Sequence, residues 1–429
     1  RKCYVGLKKI TAENFQLKNM KIAVWHNLPS GGGARALNNH IIGLLDKGHT
    51  IEIWGCNPTA NYFMKFPDSV NIHIIPLLRY SEYSFRDNVQ SFFFQKDNNI
   101  KAMEDHCMAC ANNINEGDFD VLLIGNCKYY AAPFMSRYVK IPTVLYHGEP
   151  FRYFYEAQPY TPWYPPGISE IQWLRRSYWQ LFFKDLWHER RMRTQLREER
   201  LNIEATDKLL VNSVYSSESC ARPYNRAGEV CYLGINTDVF KPAKKAPSSP
   251  YVIGLGNLFF NKNPLLAVDT IGEIPEHKRP TLLWVSNMKD GALYEEIIQL
   301  AELKNVRFEV KEMVSDEELV LLLSNAICML YTSRLEPFGL APLEANACQT
   351  PVVAVAQGGV RETIIDGKNG FLCVPEATTL AERIELLIDN PERQAEMGRV
   401  ALQNVQKNWT LEAATDRIEV ALLTTKKNI

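Results

Sequence analysis

The chain has 429 residues, which at ordinary domain size predicts two or three domains. Its 48 Lys and Arg residues balance 49 Asp and Glu residues, and the formal net charge of −1 argues against binding nucleic acid through a generally basic surface. No apolar run approaches the roughly 18 residues that cross a bilayer, so an integral membrane protein is excluded. With 46% hydrophobic and 23% charged residues, the composition is that of a folded globular protein and excludes a disordered one.

The cysteine content also limits the class of protein. Ten cysteines are too sparse for a disulfide framework in a chain of this length. Cys107 and Cys110 form one C-x-x-C pair beside His106, and no second pair at zinc-finger spacing accompanies it. We therefore expect reduced thiols in a cytosolic chain, with a metal or redox role for this motif as the alternative.

The N-terminal half begins with a strand–helix–strand pattern. Residues 1–19 are basic, lack the long apolar segment of a signal peptide, and are interpreted as an extension or tag outside the fold. An apolar strand at 20–26 is followed by three glycines, Gly31 to Gly33, a helix at 34–47 with Gly48 after it, and a strand at 50–54. This pattern predicts a doubly wound parallel sheet. Its further strands are predicted at 70–75, 121–125, 143–147 and 208–212.

A second series of predicted elements follows residue 250. Strands are predicted at 251–256, 281–286, 306–310, 327–331 and 352–356, and helices at 316–324 and 343–348. Residues 241–250 contain three prolines and no apolar periodicity, which is typical of a linker. We therefore predict a domain at 20–240, a linker at 241–250, a second domain at 251–405 and a final helical segment at 406–429. Ligands of such paired α/β domains bind in the crevice beyond the carboxyl ends of the strands.

The strongest motif lies between a predicted strand and a predicted helix. Glu336 and Glu344 flank the sequence Pro337-Phe338-Gly339, and a proline suits the first turn of the helix that follows. The free N–H groups and the positive dipole end of this helix favour phosphate or developing negative charge. Two carboxylates beside such a loop suit sugar hydroxyls. The alternative is that both glutamates only cap or solvate the helix.

Three weaker signals follow other strand ends. The glycines at 31–33 allow close approach of the backbone to a ligand, but lack the spacing of a dinucleotide site or of a P-loop, and a tight turn is the alternative. Lys262 suits the charge of a diphosphate, or is a solvated loop lysine. His147 follows a strand and precedes Gly148, which suits a crevice-facing residue, or is a structural histidine.

In combination and in this order, these motifs resemble the GT-B, family 4 retaining glycosyltransferases over about residues 20–429. The resemblance implies an α/β GT-B fold, with two Rossmann-like doubly wound parallel-sheet domains facing across a crevice. The motifs that carry it are the E-x7-E element Glu336 to Glu344, the glycine-rich loop with its helix and Gly48-His49, Gly256 with Lys262, Gly234-Ile235-Asn236-Thr237-Asp238, and Gly358-Gly359 with Glu362, Gly367 and Gly370.

The resemblance also implies roles for individual residues around a nucleotide-sugar donor. Glu344 would hold the ribose hydroxyls, Glu336 the donor sugar, and Lys262 the diphosphate. His147 would lie near the transferred sugar, so the implied catalytic residues are His147, Glu336 and Lys262. The segment 310–314 would lie near the base, and the last helix, around 411–423, crosses back to the first domain in this fold.

Backbone groups complete the implied donor site. The remaining residues that the resemblance implies at the donor are Gly32, Gly33, Asn257, Phe338, Gly339 and Leu340. Two positions depart from the family pattern: Asn257 stands where Arg is common, and Asn263 follows Lys262 where Gly is usual. Arg334 or Arg361 are the candidates for supplying the missing charge.

The function that this resemblance implies is transfer of a sugar, with retention, from a UDP- or GDP-sugar to a hydroxyl of a glycan or lipid-linked acceptor. No Asp-x-Asp motif lies in the expected crevice, so neither an obligatory metal nor a cofactor is expected. A sugar-nucleotide epimerase shares the fold, although the E-x7-E element argues against it. A catalytically weak sugar-nucleotide-binding protein is the further alternative, because of Asn257.

Aromatic residues are concentrated in one segment, with 13 in the 37 positions from 151 to 187. A helix is predicted at 169–200, and its aromatic residues recur at helical spacing beside several arginines. The region 151–193 is an interfacial element on anionic lipid, a wall that stacks on acceptor sugars, or an ordinary amphipathic core helix with a packed loop. The expected location is cytoplasmic, with peripheral contact to the inner membrane surface under the first interpretation.

Overall fold

The computed structural model describes residues 19–28, 31–56, 66–78, 98–127, 129–156, 175–244 and 249–427. Within them the chain forms two separate β-sheets, one of seven and one of six strands, and neighbouring strands are parallel. We call the unit around each of them the first-sheet domain and the second-sheet domain. Among the described residues, no helix is both long and apolar enough to cross a membrane.

The first sheet has the order β3-β2-β1-β4-β5-β6-β7. Its strands are β1 Lys21–Asn27, β2 Thr50–Gly55, β3 Asn71–Ile74, β4 Val121–Cys127, β5 Thr143–Tyr146, β6 Lys208–Val211 and β7 Glu229–Val230. The helices between them are α1 Gly32–Asp46, α2 Asn98–Glu116, α3 Met135–Tyr138, α4 Arg152–Tyr155, α5 Arg176–Glu204 and α6 Val214–Tyr224. The strand order reverses between β1 and β4, and ligand crevices open at such a point.

The second sheet repeats this plan with the order β10-β9-β8-β11-β12-β13. Its strands are β8 Tyr251–Leu255, β9 Thr281–Ser286, β10 Phe308–Glu312, β11 Met329–Tyr331, β12 Val352–Val355 and β13 Gly370–Cys373. The helices that follow residue 250 are α7 Pro264–Glu273, α8 Gly291–Leu303, α9 Asp316–Asn325, α10 Leu340–Ala347, α11 Val360–Thr363, α12 Ala377–Asp389, α13 Pro391–Asn408 and α14 Leu411–Lys427. Short 3-10 turns lie at Phe260–Lys262 and Glu276–Lys278. The reversal here lies between β8 and β11.

Each sheet is covered by hydrophobic clusters on both faces. Along β1, Ile22 and Val24 belong to one cluster and Ala23 and Trp25 to another, because successive strand side chains point to opposite faces. The strands therefore read as continuous apolar runs, as parallel strands buried on both faces do. This explains why apolar runs in the sequence predicted most of the strands to within one or two residues.

The last helix returns to the first sheet. Helix α14 contacts α1, β4 and β5, and its Ile418 and Leu422 are fully buried in the cluster that contains Ile22. Lys47 in the turn after α1 pairs with Glu419 at 2.5 Å. A Cβ at Gly43 would lie 2.1 Å from the Thr415 hydroxyl oxygen, so only glycine lets α1 and α14 approach this closely.

Some elements differ from the sequence expectation. The strand expected at 306–310 is β10 at Phe308–Glu312, because its end is polar at the sheet edge and apolarity misplaced it. The helix expected from 169 begins, within the described residues, at Arg176 and continues to Glu204. Strands β7 and β13 and helices α12 and α13 were not predicted. The expectations for residues 1–18, 157–174 and 245–248 lie outside the described residues.

The interpretation of α5 as an ordinary core helix is wrong for its first three turns. Trp179, Phe182, Phe183, Leu186 and Trp187 are all exposed, and Phe183 is 63% exposed. Buried side chains begin only at Met192. The physical reason is that the second half of α5 packs against α3 and α6, whereas its first half extends beyond these helices.

Four histidines are buried without charge. Burial lowers the pKa of each to about 4, and Arg417 also lowers that of His40. They are His26, His40, His106 and His147. His106 Nε2 accepts a hydrogen bond from Trp25 Nε1 at 3.1 Å, so the imidazole beside the C-x-x-C pair is held as a neutral group.

We expect the free energy of unfolding to fall as the pH is lowered from 6.5 to 4.5. In this window the unfolded chain protonates four histidines that remain neutral when folded. Glu149 and Glu199 act in the opposite direction, because their folded pKa values are raised to about 8 and about 7 and they take up protons in the folded state. Burial also raises the pKa of Glu344, so four imidazoles stand against three carboxyl groups. The unfolded chain therefore binds at least about one more proton, a slope of roughly 1.4 kcal/mol per pH unit or more.

Urea unfolding at several pH values measures this slope. The substitution His40→Gln should reduce it by about one proton, because it removes one of the four titrating imidazoles. Stability that stays constant or rises on acidification would contradict the prediction.

Candidate active site

The predicted site residues lie at strand ends of both sheets. Gly32 and Gly33 follow β1, and Lys262 and Glu336 follow β8 and β11, the strands at the reversal of the second sheet. A Cβ placed on Gly32 would lie 3.7 Å from Leu340 Cδ1, so the N-terminus of α1 directly faces the N-terminus of α10. The fold therefore brings the glycine-rich loop of one domain against the E-x7-E element of the other.

Lys262 and Glu336 form an ion pair. Lys262 Nζ lies 2.9 Å from Glu336 Oε2, and both side chains are mostly buried. Gly256 makes this possible, because it adopts φ +134° and a Cβ there would lie 3.0 Å from Lys262 Cε. Thr332 Oγ1 donates to the Lys262 carbonyl at 2.8 Å and joins the two strand-end loops. The ammonium group is thus held at the switch point of the second sheet.

The Glu336 carboxylate remains charged although it is enclosed. Burial acts to raise its pKa, but Lys262 and, less strongly, Arg152 outweigh burial and lower the pKa below its usual value. A carboxylate stabilised by two cations next to a loop of free N–H groups can accept hydrogen bonds from a polyhydroxyl ligand.

The β11–α10 loop, residues 334–339, presents backbone donors. Gly339 adopts φ +94°, and α10 begins at Leu340. Among the described residues, no group accepts a hydrogen bond from the N–H of Phe338, Gly339 or Leu340. The Phe338 ring is buried against Trp409 and Tyr232, so it anchors the loop while its amide stays available.

Glu344 lies on α10, one turn inside the helix, and is paired across the crevice. Arg35 of α1 places Nη1 3.3 Å from Glu344 Oε1 and Nη2 3.5 Å from Asp316 Oδ1. Burial raises the pKa of Glu344 and Asp316 adds to the effect, whereas Arg35 opposes it. This cross-domain pair was not predicted from the sequence, in which Arg35 had no strand-end or motif signal.

His147 is placed by its backbone at the end of β5. Its N–H donates to the Leu210 carbonyl at 2.7 Å, and its ring Nδ1 lies 3.1 Å from the Ala131 carbonyl oxygen. The ring is fully buried, and its Nε2 has no hydrogen-bond partner among the described residues. Because Nδ1 faces an acceptor it carries the proton, and Nε2 is left as an unused acceptor.

The departures from the family pattern are now located. Asn257 lies half-buried in the turn after β8. Arg334 stacks on Phe260 at 4.5 Å, and its Nη2 lies 3.3 Å from Asn263 Oδ1, beside the Lys262 turn. Arg361 instead donates to the Gly358 carbonyl at 3.0 Å. Of the two candidates for the missing charge, the fold brings Arg334 into the Lys262 loop.

A second charged group at this junction was missed by the sequence reasoning. Arg152 of α4 places Nε 2.9 Å from Glu149 Oε2 and 3.1 Å from Glu156 Oε2. Burial is the main cause that raises the pKa of Glu149 to about 8, with Arg152 opposing and Glu336 adding to it. The sequence position of Glu149 and Arg152 could have indicated them, since both follow His147 after the same strand.

The C-x-x-C motif does not lie at this junction. Cys107 and Cys110 are buried in α2, and the nine cysteines within the described residues are free thiols. Among the described residues there is no group of three or more His, Cys, Asp or Glu arranged to hold a metal ion.

Comparison with known proteins gives a family match in the second half of the chain. Residues 236–403 match the family described as glycosyl transferases group 1. This part of the chain is therefore similar to that family. It contains Lys262, Glu336 and Glu344, so the predicted site residues of the second sheet all lie within the matched segment.

Curated proteins of related sequence cover part of the chain. The alpha-1,3/1,6-mannosyltransferase ALG2 of Mus musculus is 27% identical over 238 residues, which is 49% of this chain and 57% of that protein. The Homo sapiens ALG2 is 39% identical over 104 residues, 24% of this chain and 25% of that protein. Alpha-maltose-1-phosphate synthase of Mycolicibacterium smegmatis is 30% identical over 230 residues, which is 47% of this chain and 58% of that protein. These alignments therefore span between a quarter and about three fifths of the relatives' length.

Solved structures match over almost the whole chain. Sucrose-phosphate synthase from Thermosynechococcus elongatus has a TM-score of 0.70 at 19% identity, covering 95% of this chain and 99% of that one. HepE from Anabaena, solved in complex with UDP, has a TM-score of 0.66 at 17% identity, and the match covers 94% of this chain and 100% of that one. These identities establish the fold alone, and the predicted GT-B architecture is confirmed.

We expect Gly359→Ala to destabilise the protein by about 1–3 kcal/mol, because the new Cβ overpacks the β11–α10 loop. It would lie 2.2 Å from the Pro337 carbonyl oxygen and 2.7 Å from Phe338 Cα. Urea unfolding measures the loss.

Gly291→Ala is the matched control, since a Cβ at that helix start meets nothing within 4 Å. Equal stability of the two variants would contradict the close packing of Gly359 on the loop.

Proposed function

We propose that the protein is a retaining glycosyltransferase that moves a hexose from a UDP- or GDP-sugar to a hydroxyl of a glycan or glycolipid acceptor. The observation that carries this proposal is the meeting of three groups in one crevice. These are the Lys262–Glu336 pair, the buried Glu344, and the facing N-termini of α1 and α10.

Each group suits one part of a nucleotide-sugar. The ammonium of Lys262 and the N–H groups at 338–340 are suited to a diphosphate, whose two phosphates carry the charge that helix N-termini attract. Glu344 accepts hydrogen bonds and suits the ribose hydroxyls. Glu336, held charged by Lys262, suits the hydroxyls of the sugar.

The same groups suit catalysis as well as binding. When the bond between the sugar and the diphosphate breaks, negative charge grows on the leaving oxygen, and Lys262 and the loop N–H groups stabilise it most in the transition state. We infer a front-face route through an oxocarbenium-like state, in which the departing diphosphate takes the proton of the acceptor hydroxyl. We assign His147 Nε2, an acceptor without a partner among the described residues, to a hydroxyl of the transferred sugar, and this contact requires the donor to reach a ring that is fully buried in this structure.

The choice of donor rests on the relatives. Two of them are named as mannosyltransferases, which supports transfer of a hexose, and HepE was solved with UDP, which supports a UDP-linked donor. A GDP-linked donor is kept as the alternative. No divalent metal is proposed, since the crevice loops carry no Asp-x-Asp motif, and activity in excess EDTA tests this point.

The first experiment incubates the purified protein with UDP- and GDP-sugars and follows release of the nucleoside diphosphate. We expect Lys262→Ala and Glu344→Ala each to reduce turnover by about 100-fold or more, because each removes a charged hydrogen-bond partner of the donor. Lys278→Ala is the control, since Lys278 pairs with Asp389 outside the crevice.

The outcomes separate the alternatives. A changed sugar that stays on its nucleotide identifies an epimerase, and nucleotide-sugar binding without release identifies a binding protein, as Asn257 would favour. Variants with unchanged rates would contradict the assigned site.

We further propose that the first turns of α5 rest on an anionic lipid surface. Trp179, Phe182, Phe183, Leu186 and Trp187 follow helical spacing i, i+3, i+4, i+7 and i+8, so they form one exposed stripe. Among the described neighbours of this stripe, residues 175–187 carry three basic side chains and one acidic one. An apolar stripe with basic flanks matches an interface of acyl chains and anionic headgroups, which suits a lipid-linked acceptor.

We expect the double substitution Trp179→Ser with Phe183→Ser to reduce binding to vesicles that contain phosphatidylserine by about tenfold, because it removes two large apolar anchors. Vesicle flotation at low salt measures this binding, with phosphatidylcholine vesicles alongside.

Leu303→Ser is the matched control, because Leu303 is 82% exposed but lies on α8 of the other domain. Absence of wild-type binding to anionic vesicles would exclude the lipid surface.

A further inference from the structure

Four carbonyl groups of the β11–α10 loop, those of residues 334–337, accept hydrogen bonds from other parts of the protein. Arg152 Nη2 donates to the carbonyls of Arg334, at 3.1 Å, and of Leu335. The Gly359 N–H donates to the Glu336 carbonyl at 2.8 Å, and Ser213 Oγ donates to the Pro337 carbonyl at 2.5 Å. Three of these four carbonyls therefore depend on side chains of the first-sheet domain.

Holding a carbonyl also aims the next N–H group. In a planar trans peptide, the C=O of one residue and the N–H of the following residue point in opposite directions. The contact of Arg152 with the Leu335 carbonyl therefore sets the direction of the Glu336 N–H. In the same way, the contact of Ser213 with the Pro337 carbonyl sets the direction of the Phe338 N–H.

Arg152 is itself held firmly in place. Its Nε lies between the carboxylates of Glu149 and Glu156, and Glu156 Oε1 accepts a hydrogen bond from Tyr215 Oη at 2.8 Å. The Arg152 side chain is 15% exposed. Leu335, whose carbonyl it binds, adopts φ +47°, a conformation that costs a leucine energy and so needs support from its surroundings.

Ser213 is fixed by a second cross-domain contact. It is the N-cap of α6, where its Oγ accepts from the Ser216 N–H at 2.9 Å. At the same helix start, the N–H groups of Val214 and Tyr215 have no partner within the helix and donate instead to Glu362 of α11, at 2.9 and 3.1 Å. Helix α6 is thereby seated on the second-sheet domain, beside the loop that Ser213 contacts.

We propose that Arg152 and Ser213 are positioning residues for the donor. They set the N–H directions of the β11–α10 loop, so the donor site of the second-sheet domain is complete only while the first-sheet domain is docked on it. This inference rests on the proposed function, because it concerns the same donor site. By linkage, any change that loosens the docking weakens donor binding, and donor binding strengthens the docking.

The experiment measures the affinity of the full-length protein for UDP and for GDP by calorimetry, together with donor turnover and thermal unfolding. Arg152→Met should weaken binding of the preferred nucleotide by about tenfold or more, because two hydrogen bonds from a charged group are lost. Arg152→Lys should not restore it, since an ammonium group lacks the planar fork that binds two carbonyls together.

Substitutions of Ser213 test the inference independently, because one variant should lose nucleotide affinity and another should restore it. Ser213→Ala should weaken nucleotide binding severalfold, and Ser213→Thr should restore it, because threonine keeps both the cap and the hydroxyl donor. Arg137→Met is the structural control. Arg137 pairs with Glu198 at 2.8 Å inside the first-sheet domain, so its loss should lower thermal stability without changing nucleotide affinity.

Each outcome bears on one claim. If the wild type binds neither nucleotide, the proposed function fails. If the wild type binds and the folded Arg152→Met and Ser213→Ala variants bind equally well, this inference fails and the proposed function stands. Full rescue by Arg152→Lys would also overturn the inference, because charge alone would then explain the effect.

Discussion

The β11–α10 loop binds its carbonyl groups at 334–337 to other parts of the protein, while the N–H groups of Phe338 and Gly339 have no partner among the described residues. The proposed donor site depends on this arrangement. A loop that turned its N–H groups toward its own fold could not attract an anion. Gly359, in the second-sheet domain, donates to one loop carbonyl. Arg152 and Ser213, in the first-sheet domain, donate to the other three. Neither domain alone supplies all of the contacts.

The two domains also meet through charge. Arg35 of α1 pairs with Glu344, and Lys262 pairs with Glu336, so each carboxylate of the E-x7-E element forms an ion pair. The carboxylates differ in environment, since the pKa of Glu336 is lowered and that of Glu344 is raised. Because separating a buried ion pair leaves a buried charge without a partner, a ligand that enters must supply polar groups to both members of each pair.

Much of the fold could be predicted because parallel strands buried on both faces are continuous apolar runs. The sequence also located Lys262, Glu336 and Glu344, since strand ends, glycines and prolines mark loops where function concentrates. It could not pair Arg35 with Glu344 or Arg152 with the loop carbonyls, because these partners are 309 and more than 180 residues apart. Nor could it decide that the aromatic stripe of α5 is exposed, because helical spacing is the same for a buried face.

By itself, the sequence determined the class of fold, the order of the motifs and the residue types available to the site. These follow from local periodicity and from the conformational limits of glycine and proline. Only the tertiary structure decided which motifs face each other and which charges pair, because such contacts join residues that are close in space and distant along the chain. The direction of the loop N–H groups belongs to this second set, since it depends on side chains of the opposite domain.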